Sequence, residues 1–150
     1  MSKRLRDWLP VLLSGRPHFV IGDPQRPYLL RWYLIPRNKR FNLYLHKFLR
    51  DDDDRALHDH PWWFVSLVIR GAYQEMLDGG RSVVRRAGSV GFRAAEHRHR
   101  VVLLRVPTWT IVLTGPVARD WGFWCPKGFV PWQRFTATNN PGDVGPGCGE

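Results

Sequence analysis

Four of the six histidines in this 150-residue chain fall in two His-x-His pairs, His58 with His60 and His97 with His99. In an extended chain, residues two apart point to the same face, so each pair can present two imidazoles together. Neutral imidazole is the commonest protein ligand for borderline divalent metals. Two or three of them with an open position suit iron, manganese, zinc, nickel or copper. The first pair is therefore read as metal-binding, and His97 as a group at the rim or in the pocket with acid/base capacity.

The elements that must position these residues are mostly strands. Leu5, Trp8, Leu9, Leu12 and Leu13 recur at spacings of three and four, which predicts an amphipathic helix over 3–14, closed by Gly15 and Pro17 and packed on the domain as a lid. From Phe19 onward the helical period disappears. Runs rich in Val, Ile, Tyr, Phe and Trp predict nine strands, over 28–35, 41–49, 62–69, 72–77, 82–85, 89–93, 100–104, 108–114 and 120–125. Turn formers such as Gly71, Asp78-Gly79-Gly80, Gly88 and Pro107 separate them. Many short, closely spaced strands predict a sandwich or barrel. One domain over 1–135 is expected, with a flexible Gly/Pro-rich tail over 136–150.

The spacing around the histidines resembles the cupin superfamily. Its first motif runs Gly, five residues, His-x-His, three or four residues, Glu, six residues, Gly. Here His58-Asp59-His60, Pro61-Trp62-Trp63, Phe64, Val65 to Arg70 and Gly71 reproduce the spacing from the first His to the last Gly, with Phe64 where the motif has its metal-binding Glu. The second motif runs Gly, five residues, Pro-x-Gly, two residues, His. Gly88, Ala94, Glu96 and His99 fall at its positions.

The resemblance spans roughly residues 40–115. It implies an all-β, cupin-type double-stranded β-helix, the jelly-roll barrel, and carries over three metal ligands, His58, His60 and His99. Such a set looks like the three-His arrangement of the thiol dioxygenase branch. Its open coordination sites would let Fe(II) bind an organic substrate and dioxygen, with Zn, Mn and Ni as alternatives, while zinc there would lower the pKa of bound water to about 7. Glu75, in the next strand, offers a carboxylate that could reach the metal.

A pocket around that metal needs apolar walls and a few polar anchors. Trp62, Phe64 and Trp109 are expected to face the substrate. Arg93 and Arg98 flank the second motif and are candidates for holding a substrate carboxylate or phosphate. Tyr73 and His97 are the candidate acid/base groups. The expected function is a mononuclear, Fe(II)-type oxygenase acting on a small polar or anionic molecule. A non-catalytic cupin that binds a small ligand or nucleic acid, and a cupin-type sugar isomerase, are the alternatives.

Composition narrows the setting. The chain is 43% hydrophobic and 24% charged, which fits a compact domain and excludes a mostly disordered chain. No apolar stretch approaches the ~18 residues of a membrane span, so a soluble cytoplasmic protein is expected. The net charge is +10, yet the basic residues are dispersed and interrupted by Asp51 to Asp54, and no nucleic-acid-binding motif accompanies them; nucleic acid is not an expected partner. The acidic run itself reads as a solvated loop. Cys125 and Cys148 differ so much in context that they are read as unpaired. The aromatic segment from Trp121 to Trp132 is expected to pack on the N-terminal helix or on a second subunit of a homodimer.

Overall fold

The structure, a computed structural model, describes residues 3–52, 56–138 and 140–149. Helix α1 spans Lys3–Leu13 and is tied to the sheet by the Trp8 indole, which donates to the Tyr33 carbonyl at 2.7 Å. Ten strands form the body: β1 (Phe19–Asp23), β2 (Arg26–Tyr33), β3 (Asn42–Phe48), β4 (Leu57–His58), β5 (Phe64–Leu77), β6 (Ser82–Arg86), β7 (Val90–Arg93), β8 (His99–Thr114), β9 (Gly122–Cys125) and β10 (Gly128–Pro131). All their pairings are antiparallel.

Two strands build both walls. The first half of β5 and the second half of β8 pair in one layer, ordered β1-β2-β3-β8-β5-β7. Their other halves pair in a second layer, ordered β6-β5-β8-β4-β9-β10. Four of the expected strands are thus two long ones, because the turn formers Gly71 and Pro107 face each other inside the β5–β8 ladder and bend it. The register slips on either side of Arg70 and again after Ala72. Gly71 has φ +88°, and a Cβ there would lie 2.4 Å from Thr108 Oγ1 and 2.8 Å from Thr108 Cα, so both the conformation and the close approach demand glycine.

The hydrophobic core is correspondingly split. Tyr44, Phe64 and Val112 cluster in the first layer, Val68, Tyr73 and Val101 near the bend, and Ala56, Phe123, Cys125 and Phe135 at the far end. Between them lies a cavity.

Two expectations about the C-terminal region are corrected. Past β10 the chain forms a short helix, α2 (Trp132–Phe135), and a hairpin of β11 (Thr136–Ala137) with β12 (Asn140–Val144). The Phe135 carbonyl accepts from Gly145 N–H at 3.0 Å and from Gly147 N–H at 3.1 Å, so residues expected to lack structure fold back on the domain. That return brings Cys148 onto the Phe123–Phe135 cluster, where it forms a disulfide with Cys125, Cα–Cα 5.5 Å. An aromatic segment around Cys125 and a Gly/Pro-rich one around Cys148 read as unrelated contexts, and it is the reversal through α2 and the hairpin, 23 residues in all, that brings them together.

The acidic run is likewise more than a solvated loop. Asp52 is buried, accepting from Val101 N–H at 2.7 Å and from the Tyr28 hydroxyl, and Asp51 accepts from Leu103 N–H at 2.6 Å. Asp53 and Asp54 lie outside the described residues. Among the described residues, no helix is long and apolar enough to cross a membrane.

Candidate metal centre

His58 in β4 and His99 at the start of β8 are register partners, so the ladder itself sets their imidazoles side by side. His60 follows two residues later and is fixed by its N–H bond to the Ala95 carbonyl at 3.0 Å. Asp59 between them points the other way and is fully buried. Its carboxylate accepts from Arg119 Nη1 at 2.8 Å, Gly122 N–H at 2.9 Å and Trp124 Nε1 at 3.1 Å. Pinning Asp59 outward turns both flanking histidines inward.

The three rings sit at nearly equal separations, 5.0 to 5.1 Å between centroids. One nitrogen from each lies within 4.8 Å of the others, and His60 Nε2 is 2.9 Å from His99 Nε2. Nitrogens at right angles on ~2.1 Å bonds to a shared cation would be about 3 Å apart, so the donor set suits one borderline divalent metal.

Glu75 in β5 orients the third ligand. Its Oε1 is 2.8 Å from His99 Nδ1, which places the proton on Nδ1 and leaves the Nε2 lone pair facing His60. Glu75 is itself fully buried and gripped from behind: Arg93 reaches Oε1 through Nε at 2.9 Å and Oε2 through Nη2 at 2.6 Å, and Arg85 Nε reaches Oε2 at 3.0 Å. Burial pushes the Glu75 carboxyl up, but the hydrogen bonds from His97, His99 and Arg93 outweigh it and hold the group well below the usual carboxylate range. It is a fixed anion at neutral pH.

The first histidine pair shows the opposite tendency. Burial lowers His58 to about 4, with His99 adding to the fall and Asp52 opposing it. Burial, then the neighbouring His58 and His99, takes His60 well below its ordinary value. Both rings are neutral at pH 7 and offer lone pairs with little competition from protons. A second trio of Glu75, His97 and His99 is also close enough to ligate. A cation there would face the guanidinium groups that already hold Glu75, so the three-histidine group is the better cation site.

The sequence-derived candidates divide by strand alternation. The cavity, about 510 Å³, is lined by Trp62, Phe64 and Tyr73 together with His58, His60 and His99. Trp62 stacks on His60 at 5.0 Å and 12°, and Phe64 meets the same ring edge-on at 4.8 Å. Tyr73 is buried, which raises its hydroxyl above the ordinary value and keeps it protonated.

The other candidates do not reach the cavity. In β8, Thr108, Thr110 and Val112 turn inward, so Trp109 faces out, stacked on Trp32 at 5.6 Å with the Lys47 ammonium above it. Arg98 covers the Trp124 ring and pairs with Asp78 at 3.7 Å. Arg93 is 2% exposed, its donors taken up by Glu75, Ser66, Gly91 and Tyr73, so it is not free to hold a substrate. His97 lies behind His99, its Nε2 3.3 Å from Glu75 Oε1, rather than in the pocket. Glu75, read as a carboxylate that could reach the metal, stands one hydrogen bond behind His99.

Sequence reasoning missed Arg31, His46 and Thr110, which also line the cavity. The available signal was polar residues at inward positions of apolar strands, Leu29-x-Arg31 in β2 and Tyr44-x-His46-x-Phe48 in β3.

No family model matches the chain, and no curated protein matches it. Solved structures do. The DMSP lyase DddQ from Ruegeria pomeroyi DSS-3 superposes with a TM-score of 0.55 at 16% identity, over 72% of this chain and 57% of that one. The structure described as FeII HppE gives 0.55 at 15% identity, over 67% of this chain and 57% of that one. This chain thus spans under two thirds of either. A Klebsiella pneumoniae protein with a double-stranded β-helix domain gives 0.52 at 14% identity, over 70% of this chain and 90% of that one. With the two-layer antiparallel barrel described above, these likenesses establish the fold as the cupin-type double-stranded β-helix.

Proposed function

We propose that this chain is a mononuclear metal enzyme of the oxygenase type, in which His58, His60 and His99 hold one divalent cation, Fe(II) first among candidates and Zn, Mn or Ni after it, and a small polar or anionic molecule is transformed in the adjoining cavity. The observation that carries the reading is the convergence of three imidazole nitrogens on the cavity wall, with the Glu75–His99 hydrogen bond fixing the tautomer that a ligand requires. The solved neighbour described with FeII supports iron as the first choice.

His58, His60 and His99 would hold such a cation through three neutral nitrogens, and it would supply an undiminished positive charge to bind substrate and a co-substrate such as dioxygen. The chain's own residues divide the remaining work. Trp62 and Phe64 hold the His60 ring and keep water from one side of it. Phe64 also withholds the anionic fourth ligand that a Glu would bring. Tyr73, on the cavity wall and kept protonated by burial, would donate a hydrogen bond to negative charge developing on a bound substrate. His97 and Arg93 act through Glu75 as positioning residues.

Elemental analysis of protein purified without a metal-affinity tag tests the reading. About one divalent cation per chain, lost in His99→Ala, is expected; metal content that is negligible, or unchanged in His99→Ala, would refute it.

A further inference from the structure

Across the cavity wall a second polar row faces the same space. Arg31 in β2 is the register partner of His46 in β3, and His46 is the register partner of Thr110 in β8. Arg31 Nε donates to His46 Nε2 at 2.9 Å, so the His46 proton resides on Nδ1, and the guanidinium lies over the Tyr44 ring at 4.8 Å. Both Nη groups of Arg31 lack a hydrogen-bond partner, and no carboxylate pairs with this side chain among the described residues. Thr110 is 2% exposed, and its hydroxyl likewise has no partner among the described residues.

A buried hydroxyl left unsatisfied is costly unless something binds it, and the half-buried Arg31 guanidinium lines the same cavity as Thr110. Elsewhere in this protein inward-facing charges are matched: Arg93 by Glu75, and Asp59 by Arg119. Arg31, with no such match among the described residues, lines the cavity that also holds the histidine cluster.

We infer that Arg31, with His46 and Thr110 beside it, is the anchor for the oxyanion of a small organic acid whose other end reaches the His58–His60–His99 group. The planar fork of two Nη donors matches a carboxylate or phosphate bidentately. His46 fixes the fork through Nε and, held neutral by burial, adds no charge that would have to be balanced. Arg31 and the three histidines line the same cavity. With a cation in place the cavity would hold positive charge at the histidine group as well as at Arg31, which suits an anionic substrate that reaches both. This assigns the anchoring role to Arg31 rather than Arg93 or Arg98, and it deepens the enzymatic reading above by naming the substrate class.

The test uses the full chain freed of metal with a chelator, so that it does not depend on metal loading. Acetate, inorganic phosphate and neutral acetamide are titrated, read by tryptophan fluorescence, because Trp62 and Trp121 line the cavity, and by the shift in melting temperature. Saturable binding of an anion but not of acetamide is expected, weakened at least about tenfold in Arg31→Gln and less in Arg31→Lys. Preference for acetate would mark a carboxylate and preference for phosphate a phosphate ester. Should Arg31→Gln fail to fold, Thr110→Val removes only the unpartnered hydroxyl and is expected to weaken anion binding about threefold. Anions that bind no better than acetamide, or that bind both variants as well as the parent, would overturn the inference. Metal content measured in parallel separates this result from a failure of the metal site.

Discussion

Glu75 and His99 share a 2.8 Å hydrogen bond through Nδ1, with the carboxylate held on its far side by Arg93 and Arg85. The bond makes the outer carboxylate a lever on the ligand. Glu75→Gln keeps an acceptor for His99 but strands two guanidinium groups. It should weaken metal binding by about 10- to 100-fold, and losing one partner of a buried ion pair should destabilise the fold by about 3–5 kcal/mol. Metal titration and chemical denaturation of this variant measure both; an unchanged metal affinity would show that Glu75 does not orient the ligand.

Phe64 stands edge-on to His60 and 5.5 Å from the Arg93 guanidinium. Phe64→Glu should therefore bring a carboxylate to the histidine group, tighten metal retention and lower turnover of any substrate that must chelate the metal. The metal-free variant should melt below the parent, because a buried carboxylate then lacks its counter-charge. Loss of stability with no gain in metal affinity would contradict this placement of Phe64.

Burial lowers His46, His58 and His60 in the folded state. The unfolded chain, with histidine near 6.5, then binds more protons than the native state as pH falls below that value, so stability present above about pH 6.5 is lost progressively on acidification. For His58, with its folded value about 4, the loss amounts to about 3 kcal/mol. Urea melts of the metal-free protein at pH 8, 6 and 4 should show the decline, while bound metal, competing with protons at depressed sites, should be retained well below pH 6.5. Stability flat across that range would show that the histidines are not desolvated.

The Cys125–Cys148 bond closes a 23-residue separation around α2 and the β11–β12 hairpin. Cys148→Ser should lower stability by about 3 kcal/mol, and a reductant should lower the melting temperature of the parent but not of the variant. Equal melting of parent and variant under oxidising conditions would mean that the bond does not form.

Local spacing made much of this protein legible. The alternation of β2, β3 and β8, the His-x-His pair and the two motif spacings carry the barrel and three of the site residues, because each is a short-range pattern. What escaped depends on which strand lies beside which. Glu75 reads as a potential ligand until the β5–β8 register sets it behind His99, and Arg93 reads as free until that same carboxylate claims it. Trp109 was misplaced because the inward phase of β8 is set by its neighbours Thr108 and Thr110. The disulfide depends on a reversal through α2 that has no hydrophobic period of its own.

The central claim is that His58, His60 and His99 bind one metal together. Anaerobic calorimetric titration of the metal-free chain with Fe(II), alongside His60→Ala, tests it most directly. The account predicts one equivalent bound by the parent and affinity at least about 100-fold weaker in His60→Ala, since two imidazoles hold a borderline cation poorly. Binding of undiminished stoichiometry and affinity in His60→Ala would contradict it.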